Sequence, residues 1–195
     1  SRAALLENIP AMAGVVQSHL DSQPAGAPIP VAPLIQRITA DELGLLSNNR
    51  LPGDHFDDIV FWWTTLLEVF LAHQKSAKAL HEDRYLRARG RVKAFAQAVL
   101  DERKAQALAA AGGSTAAGLD DDNFLDNLRA VSEAEPDFLS HEEALFLTMA
   151  AYFAGLDTVA NVTAFMLYEL LRDGALLASA RAEADAVFAA GMPAA

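Results

Sequence analysis

The densest group of chemically capable residues in the 195-residue chain is Ala154-Gly155-Leu156-Asp157-Thr158. A glycine, a carboxylate and a hydroxyl fall within one helical turn of an otherwise apolar stretch, where unsatisfied polar atoms cost most. Glycine in a helix interior costs about 1 kcal/mol relative to alanine. That cost is tolerable where something flat or bulky approaches the backbone, or where the hydrogen-bond ladder opens to admit a ligand or water. The same residues also suit close helix packing, with Thr158 bonded back to a carbonyl one turn earlier and Asp157 paired with a base from elsewhere. The residues alone leave both readings open.

Other candidates are weaker. His19, His55, His73, His81 and His141 fall in different segments, and no two show the i, i+4 spacing of a helical zinc site, so they read as surface or satisfied histidines. Asp120-Asp121-Asp122-Asn123 resembles the start of a calcium loop but lacks the glycine at the sixth position and the glutamate at the twelfth, so helix capping is the better account. Asn161-Val162-Thr163 spells a glycosylation sequon inside an apolar helix, a coincidence of letters. Cysteine is absent, which excludes disulfides, a thiolate zinc site, a catalytic thiol and a thiolate ligand to iron from this chain.

Apolar residues recur at helical spacing almost everywhere, without the alternation of strands, so the class is all-α. Helices are expected over 2–20, kinked or split at Pro10, and over 31–47, with a connection at 23–30. The stretch 54–73 is aromatic-heavy and apolar over most of its circumference, so it should be buried or line a cavity. A long charged helix over 82–111, an Ala/Gly/Ser/Thr loop over 110–118 and a short helix over 120–132 follow. The element that carries the acid and the hydroxyl spans about 140–172. It opens with the capping box Ser140-His141-Glu142-Glu143, stops at Gly174 after Asp173, and contains no breaker but Gly155. As one rod it would be ~50 Å long, against a diameter of ~42 Å for a compact domain of this size. A helix that outruns its own body should run through the middle of a larger protein. A last helix is expected over 175–190.

Fifteen Lys and Arg against 26 Asp and Glu give a net charge of −11. That balance disfavours a nucleic-acid grip, and the one basic stretch, 84–93, is diluted by flanking acids. Hydrophobic residues make up 52%, enough for a sizeable core in one domain. The first residues lack the pattern of a signal peptide. The apolar stretch 144–168 holds Asp157 near its centre, which would cost about 3 kcal/mol in a bilayer, so it reads as a buried helix and not a membrane span.

The Ala-Gly-Leu-Asp-Thr motif in a long, capped, apolar helix resembles the central I helix of the cytochromes P-450, the haem-thiolate monooxygenases. Flanking helices fall in the order the family has for D, E, F, G and H before it, and Leu177-Ala178-Ser179-Ala180-Arg181-Ala182-Glu183-Ala184-Asp185 is similar to its J helix. The resemblance covers residues 1–195 as one all-α segment, helices D to J, of a larger haem domain. Val159 departs from the pattern, since many members carry a second Thr or Ser there. The family's cysteine ligand is missing, and Glu169-Leu170-Leu171-Arg172 reads as an i, i+3 ion pair and not as the family's Glu-x-x-Arg.

The resemblance implies haem against Ala154, Gly155, Thr158, Val159 and Val162. It implies proton delivery by Asp157 and Thr158 during dioxygen activation, with no metal ligand in this chain. An apolar small-molecule substrate would pack on Ala151 and Ala154 under a lid formed by 54–73 and the helix after it. Electrons would come from NAD(P)H through a reductase or ferredoxin, in a soluble, cytoplasmic, bacterial-type enzyme that binds no nucleic acid. The rival class is the ligand-binding effector domain of an all-α transcriptional regulator, against which stand the missing basic helix-turn-helix and the 33-residue helical stretch.

Overall fold

The computed structural model describes residues 2–112, 124–189 and 191. Among them the regular structure is entirely helical: α1 (Arg2–Asp21), α2 (Val31–Leu43), α3 (Phe56–Phe70), α4 (Asp83–Gly112), α5 (Phe124–Ala134), α6 (His141–Thr148), α7 (Ala150–Gly155), α8 (Thr158–Arg172) and α9 (Gly174–Phe188). They divide into two compact units, one from 43–154 and the other from 1–42 with 155–195. The loop expected at 113–118 and the acids Asp120, Asp121 and Asp122 lie outside the described residues.

In the unit 43–154, α4 is the organising helix. Tyr85, Ala88, Val92, Phe95 and Val99 recur at alternating steps of three and four and are all buried, while Arg84, Arg87 and Arg91 face solvent. Against this stripe α3 sets Ile59, Trp62 and Val69, and the Trp62 indole N–H donates to the Tyr85 hydroxyl at 3.0 Å. Ion pairs fasten the rims: Arg91 with Asp58 at 2.6 Å, Lys104 with Glu133 at 3.2 Å, and Lys93 with Glu142. A π-helical turn, Gly44–Asn48, ends on Asn49 in the left-handed region (φ 50°). Gly44 has to be glycine: a Cβ there would lie 2.5 Å from the Arg50 carbonyl oxygen and 2.5 Å from the Tyr152 hydroxyl.

In the other unit, α1 runs through Pro10 as one helix and is not split. His19 Nε2 and Arg37 Nε meet the buried Asp41 carboxylate at 2.7 and 3.4 Å, tying α1 to α2. Val31 and Ala32 of α2 share a cavity with Ala164, Leu167 and Leu171 of α8.

The span expected as one helix over 140–172 is helical nearly throughout but is built as α6, α7 and α8. It breaks first at Met149 (φ −92°, ψ 1°), whose N–H turns back to the Phe146 carbonyl three residues earlier, directly after Thr148 bonds its hydroxyl to the Ala144 carbonyl at 2.9 Å. Such back-bonding bends helices. The second break is at Leu156–Asp157, beside the glycine. The 33-residue stretch is therefore three successive helices, with the hydrogen-bond ladder resumed by Phe153 N–H to the Met149 carbonyl and by Asn161 N–H to the Asp157 carbonyl. The span is not buried along its whole length: α8 buries Ala160 alone, and Val159, Val162, Phe165, Met166, Tyr168 and Leu171 are exposed. Gly174 is not the stop. Asp173 leaves the helical region (φ −115°, ψ 102°) and its carboxylate accepts from the N–H groups of Ala175 and Leu176, capping α9. Ala150–Arg172 is long and apolar enough to cross a membrane by length and composition, a test that core helices of soluble proteins also pass.

Candidate functional site

The segment bearing the acid and the hydroxyl is anchored at its start by the expected capping box. Ser140 Oγ accepts from the Glu143 N–H at 3.3 Å, and the Glu143 carboxylate accepts from the Ser140 N–H at 2.9 Å. Hydrogen bonds from the Ser140 side chain and backbone hold the Glu143 carboxyl below its ordinary range. From there α6 leads through Met149 into α7, where Ala151 is half-buried and Ala154 exposed. Gly155 closes α7 and is buried.

Asp157 stands at the break. It flanks α8 as its cap residue (φ −90°, ψ −42°), yet its side chain makes no capping hydrogen bond. Its carbonyl accepts from the Asn161 N–H at 3.0 Å, restarting the ladder. Burial raises the Asp157 carboxyl above its ordinary range, and no basic side chain among the described residues forms an ion pair with it. Thr158 opens α8 and is exposed, followed by Val159 at 47% and Val162 at 59% exposure. Ala154, Thr158 and Val162 are four residues apart in sequence, and all three reach the surface.

Sequence reasoning missed the aromatic cluster next to these residues. Phe153, which precedes Ala154, stacks on Trp63 of α3 with centroids 4.4 Å apart and planes 17° from parallel. Trp62 meets Phe153 edge-on at 5.1 Å, and Phe146 lies 4.8 Å from Phe153. The available signal was the seven-residue spacing of Phe146 and Phe153, two turns on one helical face opposite a Trp-Trp pair. Two of the histidines are satisfied, His141 Nε2 meeting Gln97 Oε1 at 2.7 Å and His19 meeting Asp41, whereas His55 Nδ1 is buried without a hydrogen-bond partner among the described residues. Among the described residues no cluster of His, Asp and Glu is suited to a metal ion. Glu169 and Arg172 form the expected i, i+3 pair at 3.2 Å.

The family model of the cytochromes P-450 matches residues 55–193, more than two thirds of the chain and all of α3 to α8 with the helix after them. The chain belongs to the cytochrome P-450 family. No curated protein and no solved structure matches it. Membership makes haem the P-450 cofactor to be accommodated and oxidoreductase chemistry the class. It favours that class over a ligand-binding regulator.

Proposed function

We propose that this P-450 chain supplies the oxygen-activation segment of a haem-dependent monooxygenase that inserts oxygen into an apolar organic substrate, with Asp157 and Thr158 as its acid–alcohol pair. The observation that carries the reading is the break at Leu156–Asp157. It leaves a partly buried carboxyl, raised by desolvation and without an ion pair among the described residues, directly before Thr158 at the start of α8. A carboxyl moved towards neutrality exchanges its proton more readily near the operating pH.

The residues suit a flat apolar group. Ala154, Thr158, Val159 and Val162 present small side chains at the surface, and Gly155 adds no Cβ at the helix break. These residues would hold haem, and the thiolate must come from outside this chain, which contains no cysteine. Haem, when bound, supplies the redox-active iron at which dioxygen is reduced. Thr158 Oγ holds a water or a proton at the exposed start of α8, and the Asp157 carboxyl passes protons between that hydroxyl and solvent. Ala151 and Ala154 offer small surfaces on which an apolar substrate packs, with α3 and α4 as its lid. In this reading residues 1–195 act as one segment of a larger cytoplasmic haem domain, fed by NAD(P)H through a reductase or ferredoxin partner.

The test uses the parent holoenzyme. Thr158→Ala should keep NAD(P)H and dioxygen consumption while product per NAD(P)H falls by about tenfold and peroxide rises. Asp157→Asn should slow NAD(P)H oxidation itself, by about a hundredfold, since an amide does not relay a proton as a carboxyl does. Unchanged coupling in the first and an unchanged rate in the second would reduce the motif to a structural bend.

A further inference from the structure

We propose that the cavity lined by Asn48 is a binding site for a small, neutral primary carboxamide of about the size of acetamide. The inference goes beyond the function proposed above and does not rest on it. Every residue it uses belongs to the unit 43–154, and none to the motif 154–158.

Asn48 closes the π-helical turn that continues α2, and it is only 8% exposed. Neither its Nδ2 nor its Oδ1 has a hydrogen-bond partner among the described residues. Buried side-chain polar atoms are nearly always paired, so an amide left unmatched at both ends marks a place where something else binds. Between this turn, α4 and α5 lies a cavity of about 50 Å³, lined by Asn48, Glu102, Arg103 and Gln106, with Val99 and Leu125 as the apolar part of its wall. Glu102 and Gln106 are exposed, so the site is reached from solvent. A water needs about 10–15 Å³ of such space, so the cavity admits about four waters or one molecule of about four heavy atoms. The charges around it select against ions. Arg103 opposes a cation, as does Arg50, which pairs with Glu102 at 3.2 Å. Glu102 opposes an anion, and so does the helix end at Asn48, where the last carbonyls lack intrahelical donors and carry partial negative charge. A neutral ligand is left, and it has to accept from Nδ2 and donate to Oδ1 at once. A primary carboxamide does so with adjacent atoms, pairing its C=O and N–H with those of Asn48, and sets its carbon end against Val99 and Leu125. Water alone is a poorer match, because a buried water needs two to four polar partners and the apolar wall supplies none.

The parent holoenzyme tests this with three probes of equal size: acetamide, acetone, which lacks the N–H donors, and acetate, which is charged. Titrations are followed by NMR at the methyl signals of Val99 and Leu125, so that binding anywhere else in the enzyme is not counted. Acetamide should bind with a dissociation constant on the order of millimolar, as befits four heavy atoms. Acetone and acetate should bind about tenfold more weakly, since each leaves part of the Asn48 amide unpaired. Asn48→Leu, which keeps the volume and removes both hydrogen-bonding groups, should weaken acetamide about tenfold and leave acetone within about twofold. One reading needs no variant: in the wild type the acetamide methyl should give nuclear Overhauser effects to the Val99 and Leu125 methyls. Signals that do not move up to about 100 mM acetamide, equal affinity for the three probes, or an unchanged acetamide affinity in Asn48→Leu would overturn the site. So would Overhauser effects from those methyls to water alone at the highest acetamide concentration, which would make the cavity a hydration site only.

Discussion

Asp157 is held where its charge is penalised: burial raises its carboxyl, and no cation among the described residues offsets the penalty. Well below the ordinary carboxyl value of 3.8 both the folded and the unfolded chain are protonated there, so no penalty exists. As pH rises through the raised folded value, the unfolded chain loses its proton more readily than the folded one, and stability falls. Asp157→Asn should therefore raise the thermal midpoint at pH 7, with the gain shrinking to nothing as the pH is lowered past that ordinary value. Melting curves of both chains across this range check the prediction. A lower midpoint for the variant at pH 7 would mean that a stabilising partner meets the carboxylate. The same substitution is expected to slow turnover, so one residue would trade stability for activity. Asp157 and Thr158 were legible in the sequence because a carboxylate and a hydroxyl stand out in an apolar run. Trp63 and Phe153 were not, because aromatics at helical spacing read as core until their rings are seen stacked.

At the scale of elements, two glycines make opposite demands. Gly44 opens the π-helical turn, and an added Cβ would collide with a backbone oxygen as well as with the Tyr152 hydroxyl, so the obstacle cannot simply rotate away. Gly90 sits on the exposed face of α4 with nothing within 4 Å of an added Cβ. Gly44→Ala should destabilise the chain by about 3 kcal/mol or more, at the upper end of overpacking costs, while Gly90→Ala should stabilise it by about 1 kcal/mol through helix propensity. Urea denaturation measures both, and equal small effects would show that the turn yields to the methyl group. The lengths of α4 and of the span 141–172 were readable from periodicity and capping, since Ser140 and Glu143 encode their own geometry. The break at Met149 was not, because methionine is a good helix former. It comes where the Thr148 hydroxyl turns back to donate to the Ala144 carbonyl and Met149 is buried at 1% exposure, and both depend on the folded surroundings. Gly174 misled for a related reason: the carboxylate of its neighbour Asp173 takes both free N–H groups, so no left-handed glycine is needed.

For the whole molecule the dominant facts are a net charge of −11 and a strip of apolar side chains along α8. Val162, Phe165, Met166 and Leu171 are 59%, 71%, 61% and 64% exposed, and the first three share a groove with Leu170 and with Leu176 of α9. Such a strip exceeds the scattered apolar exposure normal on a monomer surface. Under the proposed function it is a surface that haem and other parts of the enzyme would cover. For a polypeptide of these 195 residues alone, attraction along the strip competes with repulsion between like-charged copies, and the two respond differently to salt. At about 10 mM salt the Debye length is about 30 Å and repulsion reaches well beyond contact, whereas at about 1 M it is about 3 Å and the apolar term is unopposed. Self-association should therefore be weak at low salt and rise steeply with sodium chloride, and sedimentation velocity at fixed protein concentration reads it directly. Phe165→Ser with Met166→Ser should abolish the rise, since it removes apolar surface and leaves the charge at −11. A polypeptide that stays monomeric at 1 M salt, or a double variant that associates as strongly as the parent, would show that the face of α8 is not an interface awaiting its cover.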